Sequence, residues 1–302
     1  MTSRLFVSIC RKAKLSVTVL SAISIILLWP SPAKAGTTIT QSACPVLIAQ
    51  SGEYDLATDV GPCLPGVDGI DIEASGVTLH LDGHNIIGSA SAAVCNTSNG
   101  IHVGLPAPTP MLSQVHVLGD GTISNFFIGF RAENSAGSFV KFVTVTGACA
   151  NEFSFGFAIL RPGGQWKLQG NVVREPGATS EGIIVQGVDD NDLVRNDVND
   201  TIGFLNSNNN TVVNNTASDN QGGIAFGFFG QPSNNNEIHA NTTDNNSLNS
   251  GLSIDAGSTG NNVTGNSAFN NFPFDMQDNN PNCDSNKWQG NHFGTANQPC
   301  IQ

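Results

Sequence analysis

One short pattern, Asn-x-apolar-x-x-Asn, recurs between Trp166 and Asn291 and constrains the fold more than any other feature of this chain. Its apolar member returns at intervals of 25, 19, 26, 25 and 25 residues, at Leu168, Leu193, Val212, Ile238, Val263 and Trp288, and the first repeat has Trp166 in place of its first asparagine. A period in this range is typical of solenoids, in which each repeat buries its apolar face only by stacking on its neighbours. The sequence therefore predicts a repeat architecture.

A second pattern, Gly-apolar-x-apolar, runs alongside the first. It begins at Gly69, Gly100, Gly129, Gly156, Gly182, Gly203, Gly223 and Gly251. Alternation of this kind indicates a strand with one buried face, and the turns between strands are rich in Asn, Asp, Gly and Ser, which tolerate left-handed backbone conformations. We therefore predict an all-β solenoid of about eight to ten coils, in which strands of successive coils stack in parallel.

The asparagine that closes each repeat is predicted to be structural. Stacked coils would place these side chains in one column, where each amide bonds to the amide above and below and so satisfies buried turn polarity. The predicted column contains Asn171, Asn196, Asn215, Asn241, Asn266 and Asn291.

The region from Gly69 to Asn291 also resembles a known superfamily. The run GIDIEASGVTLHLDGHNIIG, followed by GIHV, VHVLGDGTI and the asparagine repeats, is similar to the pectate-lyase-like right-handed parallel β-helix proteins. The resemblance implies a single-stranded right-handed β-helix and a bias toward extracellular carbohydrates; members include lyases, glycosidases, epimerases, tailspikes and adhesins. Left-handed β-helices are the structural alternative, but they resemble regular hexapeptide arrays, and the coil lengths of this chain vary.

No catalytic pattern of that superfamily is complete in this chain. Gly-His-Gly and Arg-Ile-Lys segments, which polygalacturonase-like glycosidases carry, do not occur, and the RPGGQ run at Arg161 lacks the second arginine of the lyase pattern. The resemblance therefore implies a fold and no specific activity, since one fold hosts many functions.

The first 35 residues are predicted to lie outside the solenoid. Basic residues precede an apolar run from Leu15 to Trp29, and SPAKA offers a small-x-small cleavage site ending at Ala35, as in secretory signal peptides. An uncleaved anchor is the alternative. We expect residues 1–35 to be a signal peptide, 36–67 an N-terminal cap, 68–281 the β-helix and 282–302 a C-terminal cap. The mature chain would carry no transmembrane anchor and would be secreted or held in the periplasm or cell envelope.

Charge limits the partners of the mature chain. After removal of the signal peptide, seven basic residues stand against 24 acidic ones, a net charge of −17. Nucleic acid is excluded as an expected partner, because phosphate contacts require clustered Lys and Arg. We expect a polysaccharide or cell-surface glycan as partner and a monomeric protein. A polyanionic glycan would bind only through a local basic groove or bound calcium.

Six cysteines remain after cleavage, and an even number in an exported chain indicates disulfides. Sequence proximity favours Cys44 with Cys63 and Cys283 with Cys300, one pair near each end of the solenoid. Cys95 and Cys149 are left over. Because they lie about two coils apart, their loops would have to fold over the side to bring the Cα atoms within roughly 7 Å.

Two groups of outward side chains are candidate catalytic residues. In the Gly-apolar-x-apolar strands, the outward position places Asp71, His102 and Arg131 on successive coils, where a proton donor could lie beside a carboxylate-binding arginine. In the other strands, Lys141 and Lys167 lie beside Asp192, and lysines could serve a polysaccharide lyase. The alternatives are an exposed ladder of compatible charges and cross-strand charge pairing, respectively.

Two further groups are candidates for binding. Asp189, Asp190 and Asp192 form the densest acidic stretch and could hold calcium, the candidate cofactor, although turn formation explains them about as well. Phe228 and Phe229 lie in a glycine-flanked loop and could stack on sugar rings or pin the loop to the solenoid.

Two hypotheses of different class follow. In the first, the protein binds extracellular polysaccharide along one face and could have lyase, glycosidase or epimerase-like activity. In the second, it is a non-catalytic scaffold or adhesin of the envelope or cell surface. The two differ in whether the candidate residues share one groove.

Overall fold

A computed structural model describes residues 36–90, 97–105, 109–147, 154–174 and 181–302. This part of the chain is a parallel β-solenoid of about nine turns, as the repeats predict. Its helical content is two short 3-10 turns, Phe228–Gly230 and Pro281–Cys283. The predicted signal peptide, Cys95 and Cys149 lie outside the described residues. In the described ranges, no helix is both long and apolar enough to cross a bilayer.

The strands form parallel sheets along the sides of the solenoid. The ten-stranded sheet contains Val46–Ile48, Ile70–Ile72, Asn99–Val103, Ile128–Ala132, Phe155–Leu160, Glu181–Gln186, Thr201–Leu205, Ile224–Phe226, Leu252–Ile254 and Met276–Asp278. The eleven-stranded sheet contains Thr37–Ile39, Gly52–Leu56, Val77–His80, His116–Leu118, Phe139–Lys141, Lys167–Gln169, Asp192–Val194, Thr211–Val213, Glu237–His239, Asn262–Thr264 and Lys287–Gln289.

Three smaller sheets complete the coils. A six-stranded sheet contains Ile86–Ile87, Thr122–Ser124, Thr144–Thr146, Val172–Arg174, Asp197–Val198 and Thr216–Ala217. A three-stranded sheet contains Leu112–Ser113, Ser135–Ala136 and Gly163–Gly164, and a two-stranded sheet contains Ser267–Ala268 and His292–Phe293. Strands therefore also occur inside the segments 36–67 and 282–302 that the sequence assigns to caps.

The core is a set of apolar columns, because like positions of successive coils pair in register. Ile101, Phe130 and Phe157 are aligned on neighbouring strands and are fully buried. The repeat anchors Leu168, Leu193, Val212, Ile238, Val263 and Trp288 are aligned in the same way in the eleven-stranded sheet. This confirms the vertical stacking predicted from the repeats.

The asparagine column is confirmed and is more extensive than predicted. From Asn171 to Asn291, each side-chain amide donates to the side-chain oxygen of the next asparagine, at 2.9–3.1 Å. Each amide also donates to a backbone carbonyl, as Asn215 does to Leu193. The first asparagine of the repeat forms a second column that the prediction did not include: Asn191, Asn210, Asn236, Asn261 and Asn286. The repeat is thus bounded on both sides by buried amides.

Two of the predicted disulfides are present. Cys44 and Cys63 are bonded with their Cα atoms 5.4 Å apart, and Cys283 and Cys300 with theirs 6.1 Å apart. One pair lies near each end of the solenoid, which fits a protein of the periplasm or the extracellular space.

One predicted register is wrong. Gly203 is not in the glycine column, because a bulge between Glu181 and Ile183 shifts the pairing and aligns Gly203 with Ile184. Leu205, two residues after Gly203, therefore pairs with Gln186 and not with Ile184. The error arose because this coil is shorter by one residue at the glycine, and spacing alone does not show where a residue has been lost.

Candidate functional site

The outward side of the ten-stranded sheet, which we call the outer face, carries three parallel columns of side chains. The middle column contains the predicted trio Asp71, His102 and Arg131. It continues through Ala158, Ile184, Gly203, Ala225, Ser253 and Gln277. A second column is formed by the residue that precedes each glycine of the Gly-apolar-x-apolar pattern. The third column is formed by the residue that lies two positions after each member of the middle column. Side chains from many coils therefore meet on one surface.

One end of the outer face holds a charged cluster of Asp68, Asp71, His102, Arg131 and Glu133. His102 Nε2 lies 3.2 Å from Glu133 Oε1, and Arg131 donates to Glu133 Oε2 at 2.6 Å. The other imidazole nitrogen, Nδ1, faces Asp71 Oδ1 at 3.7 Å and Asp68 Oδ2 at 3.8 Å, longer than a direct hydrogen bond. The predicted trio is thus brought together, and two acids that the prediction lacked join it.

The neighbouring charges set the protonation of this cluster. Burial acts to lower the pKa of His102, but Asp71, Glu133 and Asp68 outweigh it and raise the pKa above its usual value. Burial acts to raise the pKa of Glu133, but Arg131 and His102 outweigh it and lower that pKa below its usual value. Burial raises the pKa of Asp68, against the hydrogen bonds from Asn99. The cluster can therefore offer a proton donor and proton acceptors to a bound molecule.

Two atoms of this cluster are buried without a hydrogen-bond partner among the described residues, Asp71 Oδ1 and Arg131 Nε. Asp68, Asp71 and His102 also present ligand atoms within 4.8 Å of one another. Two carboxylates and an imidazole could bind a divalent cation, although a site of oxygen ligands alone would suit calcium better.

The middle of the outer face is apolar. Ile128, Ala158, Ile184 and Leu205 are at most 5% exposed although they point away from the core, and Phe127, Phe155, Leu160 and Phe228 pack against them. Phe228 occupies the space over Gly203, where an added Cβ would lie 3.2 Å from the phenylalanine ring. The Phe228–Gly230 turn therefore partly covers Ile184, while Phe229 beside it is 63% exposed.

A cavity of about 330 Å³ opens beside this apolar strip. It is lined by Phe155, Glu181, Ile184, Gln186, Leu205, Phe229 and Gln231. Burial raises the pKa of Glu181 to about 8, and the charge of Asp200 adds to the effect. Farther along the same face, a second cavity of about 270 Å³ is more polar and is bordered by Asn249, Ser253, Asp255 and Gln277.

Lys141 and Lys167 lie on the eleven-stranded sheet and do not share the outer face with the trio. The prediction that the two lysines lie side by side at the same position of adjacent strands is wrong. Phe139 pairs with Lys167, and Lys141 pairs with Gln169. Lys141 Nζ lies 4.4 Å from the centroid of the Phe139 ring, which stacks on His116. Lys167 is the register partner of Asp192, as expected for cross-strand charge pairing.

The acidic stretch is not gathered into one site. Asp189 accepts hydrogen bonds from the backbone and side chain of Asn208, and Asp190 has a left-handed backbone with φ 60°. Asp189 and Asp190 border a cavity of about 330 Å³, whereas Asp192 lies on the eleven-stranded sheet. In the part of the chain that the structure describes, the three residues do not form a group with carboxylates in mutual reach.

Sequence reasoning missed Asp68, Glu133 and Glu181. Asp68 and Glu181 each precede a glycine of the second repeat pattern, and that position was available as a column to inspect. Glu133 lies two residues after Arg131, on the same side of the strand. The repeat pattern therefore indicated the position of each of these three residues, although it could not give the distances between side chains.

Comparison with solved structures identifies similar solenoids. The periplasmic alginate epimerase AlgG has a TM-score of 0.51 and 13% identity, covering 82% of this chain and 70% of its own. The A-module of mannuronan C-5 epimerase AlgE6 of Azotobacter vinelandii has a TM-score of 0.52 and 12% identity, covering 82% and 81%. Dettilon tailspike protein has a TM-score of 0.51 and 14% identity, covering 83% and 53%.

No protein-family model matches the sequence, and no curated protein matches it. Identities of this size establish the fold and leave activity to be argued from the site. The chain thus shares the right-handed parallel β-helix fold of these proteins.

Proposed function

We propose that this protein binds an extracellular polysaccharide along the outer face of the ten-stranded sheet. The observation that carries the proposal is the continuity of that face, which places the charged cluster, the apolar strip with Phe229 and the polar cavity side by side. Between the strands of His102 and Ser253 the face spans roughly 29 Å, since neighbouring strands lie about 4.8 Å apart. An elongated ligand with repeating polar and apolar surfaces fits such a strip.

The chemistry of the face suits sugars. Carboxylates and amides pair with sugar hydroxyl groups, and an exposed aromatic ring can cover the apolar side of a sugar ring. Phe229 is held against Phe228, with ring centroids 4.1 Å apart, so its position costs little entropy to maintain on binding. The alginate and mannuronan epimerases with the same fold support this choice of ligand class.

Replacement of Phe229 by alanine tests the binding proposal. We expect about tenfold weaker retention on immobilised polysaccharide, because one aromatic contact contributes about 1 kcal/mol or slightly more. Affinity electrophoresis or calorimetry with a panel of neutral and acidic polysaccharides would measure it. Phe142→Ala is the matched control, since Phe142 is 57% exposed but follows a strand of the eleven-stranded sheet. Equal affinity of both variants would show that Phe229 does not contribute to binding, and no retention on any glycan would favour the scaffold hypothesis.

Glycosidase-type cleavage is the second candidate function. The observation favouring it is that Asp68 and Asp71 hold carboxylate oxygens within 4.8 Å, while burial raises the pKa of Asp68. Paired carboxyl groups, one of them holding its proton, are what hydrolysis of a glycosidic bond uses.

Asp71→Asn tests this second candidate. We expect about a thousandfold slower release of shortened products with binding retained, because the variant removes a carboxylate and preserves its shape. Product release from the retained polysaccharide would be followed by reducing-end assay. Asp192→Asn, on the other sheet, is the control and should cleave at the wild-type rate. Undiminished cleavage by Asp71→Asn would show that this carboxylate is not catalytic.

A further inference from the structure

Glu181 is an unusual residue for the position it occupies. It begins the strand Glu181–Gln186, is 6% exposed, and its Oε2 atom is buried without a hydrogen-bond partner. No basic side chain is paired with it among the described residues. The charged group that acts on it there is Asp200, which has the same sign. A buried carboxyl in this setting is stable only with its proton, because ionising it would require an uncompensated buried charge.

Asp200 is the one ionisable neighbour of Glu181 among the described groups that border it. The adjacent strands contribute Phe155 and Thr201 as the register partners of Glu181, and the cavity rim contributes Gln186, Gln231 and Phe229. These five residues carry no ionisable side chain. Because Glu181→Gln leaves Asp200 in place, comparison of the two proteins isolates the contribution of Glu181.

The cavity beside Glu181 has the size and lining of a small binding site. Its volume of about 330 Å³ lies at the lower end of the range for small-molecule pockets and is enough for one sugar ring. Phe155, Ile184, Leu205 and Phe229 supply apolar walls, and Gln186 and Gln231 supply amides. An apolar pocket with a few convergent polar groups is the usual form of a ligand site.

We infer that this cavity is a subsite for a neutral sugar residue, with protonated Glu181 donating a hydrogen bond to a sugar oxygen. The inference rests on the proposed function and specifies its ligand at this point of the face. A uronate is disfavoured in the cavity, because the described lining offers no cation and Asp200 adds negative charge nearby. The charged cluster, which contains Arg131, lies on other coils of the same face.

The sign of the pH dependence follows from the carboxyl group. Because the folded protein holds the Glu181 proton up to about pH 8, the hydrogen-bond donor is present below that pH and is lost as the pH rises through it. The unfolded chain releases the same proton near its ordinary pKa, so the folded state loses stability as the pH rises from that value to about 8. Glu181→Gln keeps an N–H donor and the shape of the side chain but cannot ionise.

Calorimetric titration of wild type and Glu181→Gln tests the subsite. The probes are cellohexaose and maltohexaose as neutral chains and hexagalacturonate as an acidic one, at about pH 6 and about pH 9.5. We expect binding of a neutral chain to the wild type to weaken about tenfold at the higher pH, and binding to Glu181→Gln to stay constant. Circular dichroism at both pH values checks that both proteins are folded.

Three results would each overturn a different part of the proposal, and a fourth would support it. Parallel pH profiles of the two proteins would overturn the role of Glu181 while leaving glycan binding intact. If the wild type preferred hexagalacturonate and Glu181→Gln lost that preference, the neutral-sugar assignment would be overturned. Absence of binding by any of the three chains and of retention on the polysaccharide panel would overturn the proposed function itself. A neutral chain whose affinity falls with pH only in the wild type would support the subsite.

Discussion

Replacing Asn215 with alanine is expected to lower the free energy of unfolding by about 3 kcal/mol or more. The Asn215 amide donates to the Leu193 carbonyl at 2.8 Å and to Asn241 Oδ1 at 3.1 Å. Its side-chain oxygen accepts from the backbone and side-chain nitrogens of Asn196, both at 2.9 Å. Alanine would remove four hydrogen bonds from this buried column and would take away the partner of the Asn196 backbone N–H. Each lost hydrogen bond costs about 0.5–1.5 kcal/mol, and a buried group left unsatisfied costs about 1–3 kcal/mol.

Chemical denaturation of the purified variant would measure this loss. Asn262→Ala is the matched control, because Asn262 also lies in a repeat but makes its side-chain hydrogen bond to Glu237 at the exposed surface. The control should change the free energy of unfolding by less than about 0.5 kcal/mol. Similar values for the two variants would mean that the amide column does not stabilise the solenoid.

A still larger effect is expected for Gly100→Ala. A Cβ atom on Gly100 would lie 2.1 Å from Ile123 Cγ2 and 2.5 Å from the carbonyl oxygen of Gly129. Neither distance is compatible with packing, and the carbonyl is backbone that cannot move without breaking the parallel register. We expect a loss of about 4 kcal/mol or failure to fold, because the core has no room for even one methyl group.

Thermal unfolding and soluble yield would measure the outcome. Gly265→Asn is the control: Gly265 has φ 63° and nothing within 4 Å of an added Cβ, and asparagine tolerates that conformation. A stable Gly100→Ala protein would show that the sheets can separate at this corner, and close packing would then not explain the glycine column.

The glycine column illustrates why much of the fold was predictable. A coil cannot close unless its strands approach at the corners, so Gly69, Gly100, Gly129 and Gly156 recur at one place in the pattern. Stacking then repeats each local requirement once per coil. The apolar columns, the asparagine column and the two terminal disulfides are all visible as periodic or paired residues in the chain.

The candidate site was only partly predictable. Stacking of Asp71, His102 and Arg131 follows from the repeat, and the structure aligns them on three neighbouring strands. The position of Lys141 does not follow, because the structure aligns Phe139 with Lys167. A shift of two residues preserves the alternation of inward and outward side chains, so the sequence pattern is equally satisfied by both registers.

The alternation of apolar and polar residues, the period of the repeat and the identity of the turn residues determined the parallel solenoid, because these local requirements recur in every coil. Tertiary structure alone decided that a bulge at Gly182 moves Gly203 under Phe228, and that Glu181 lies in a cavity whose described lining has no basic side chain. The reason is physical: burial and the electrostatic field at a side chain depend on neighbours one coil away, which are 19 to 26 residues distant in sequence along the asparagine columns. Those neighbours become known only when the register of each strand is known.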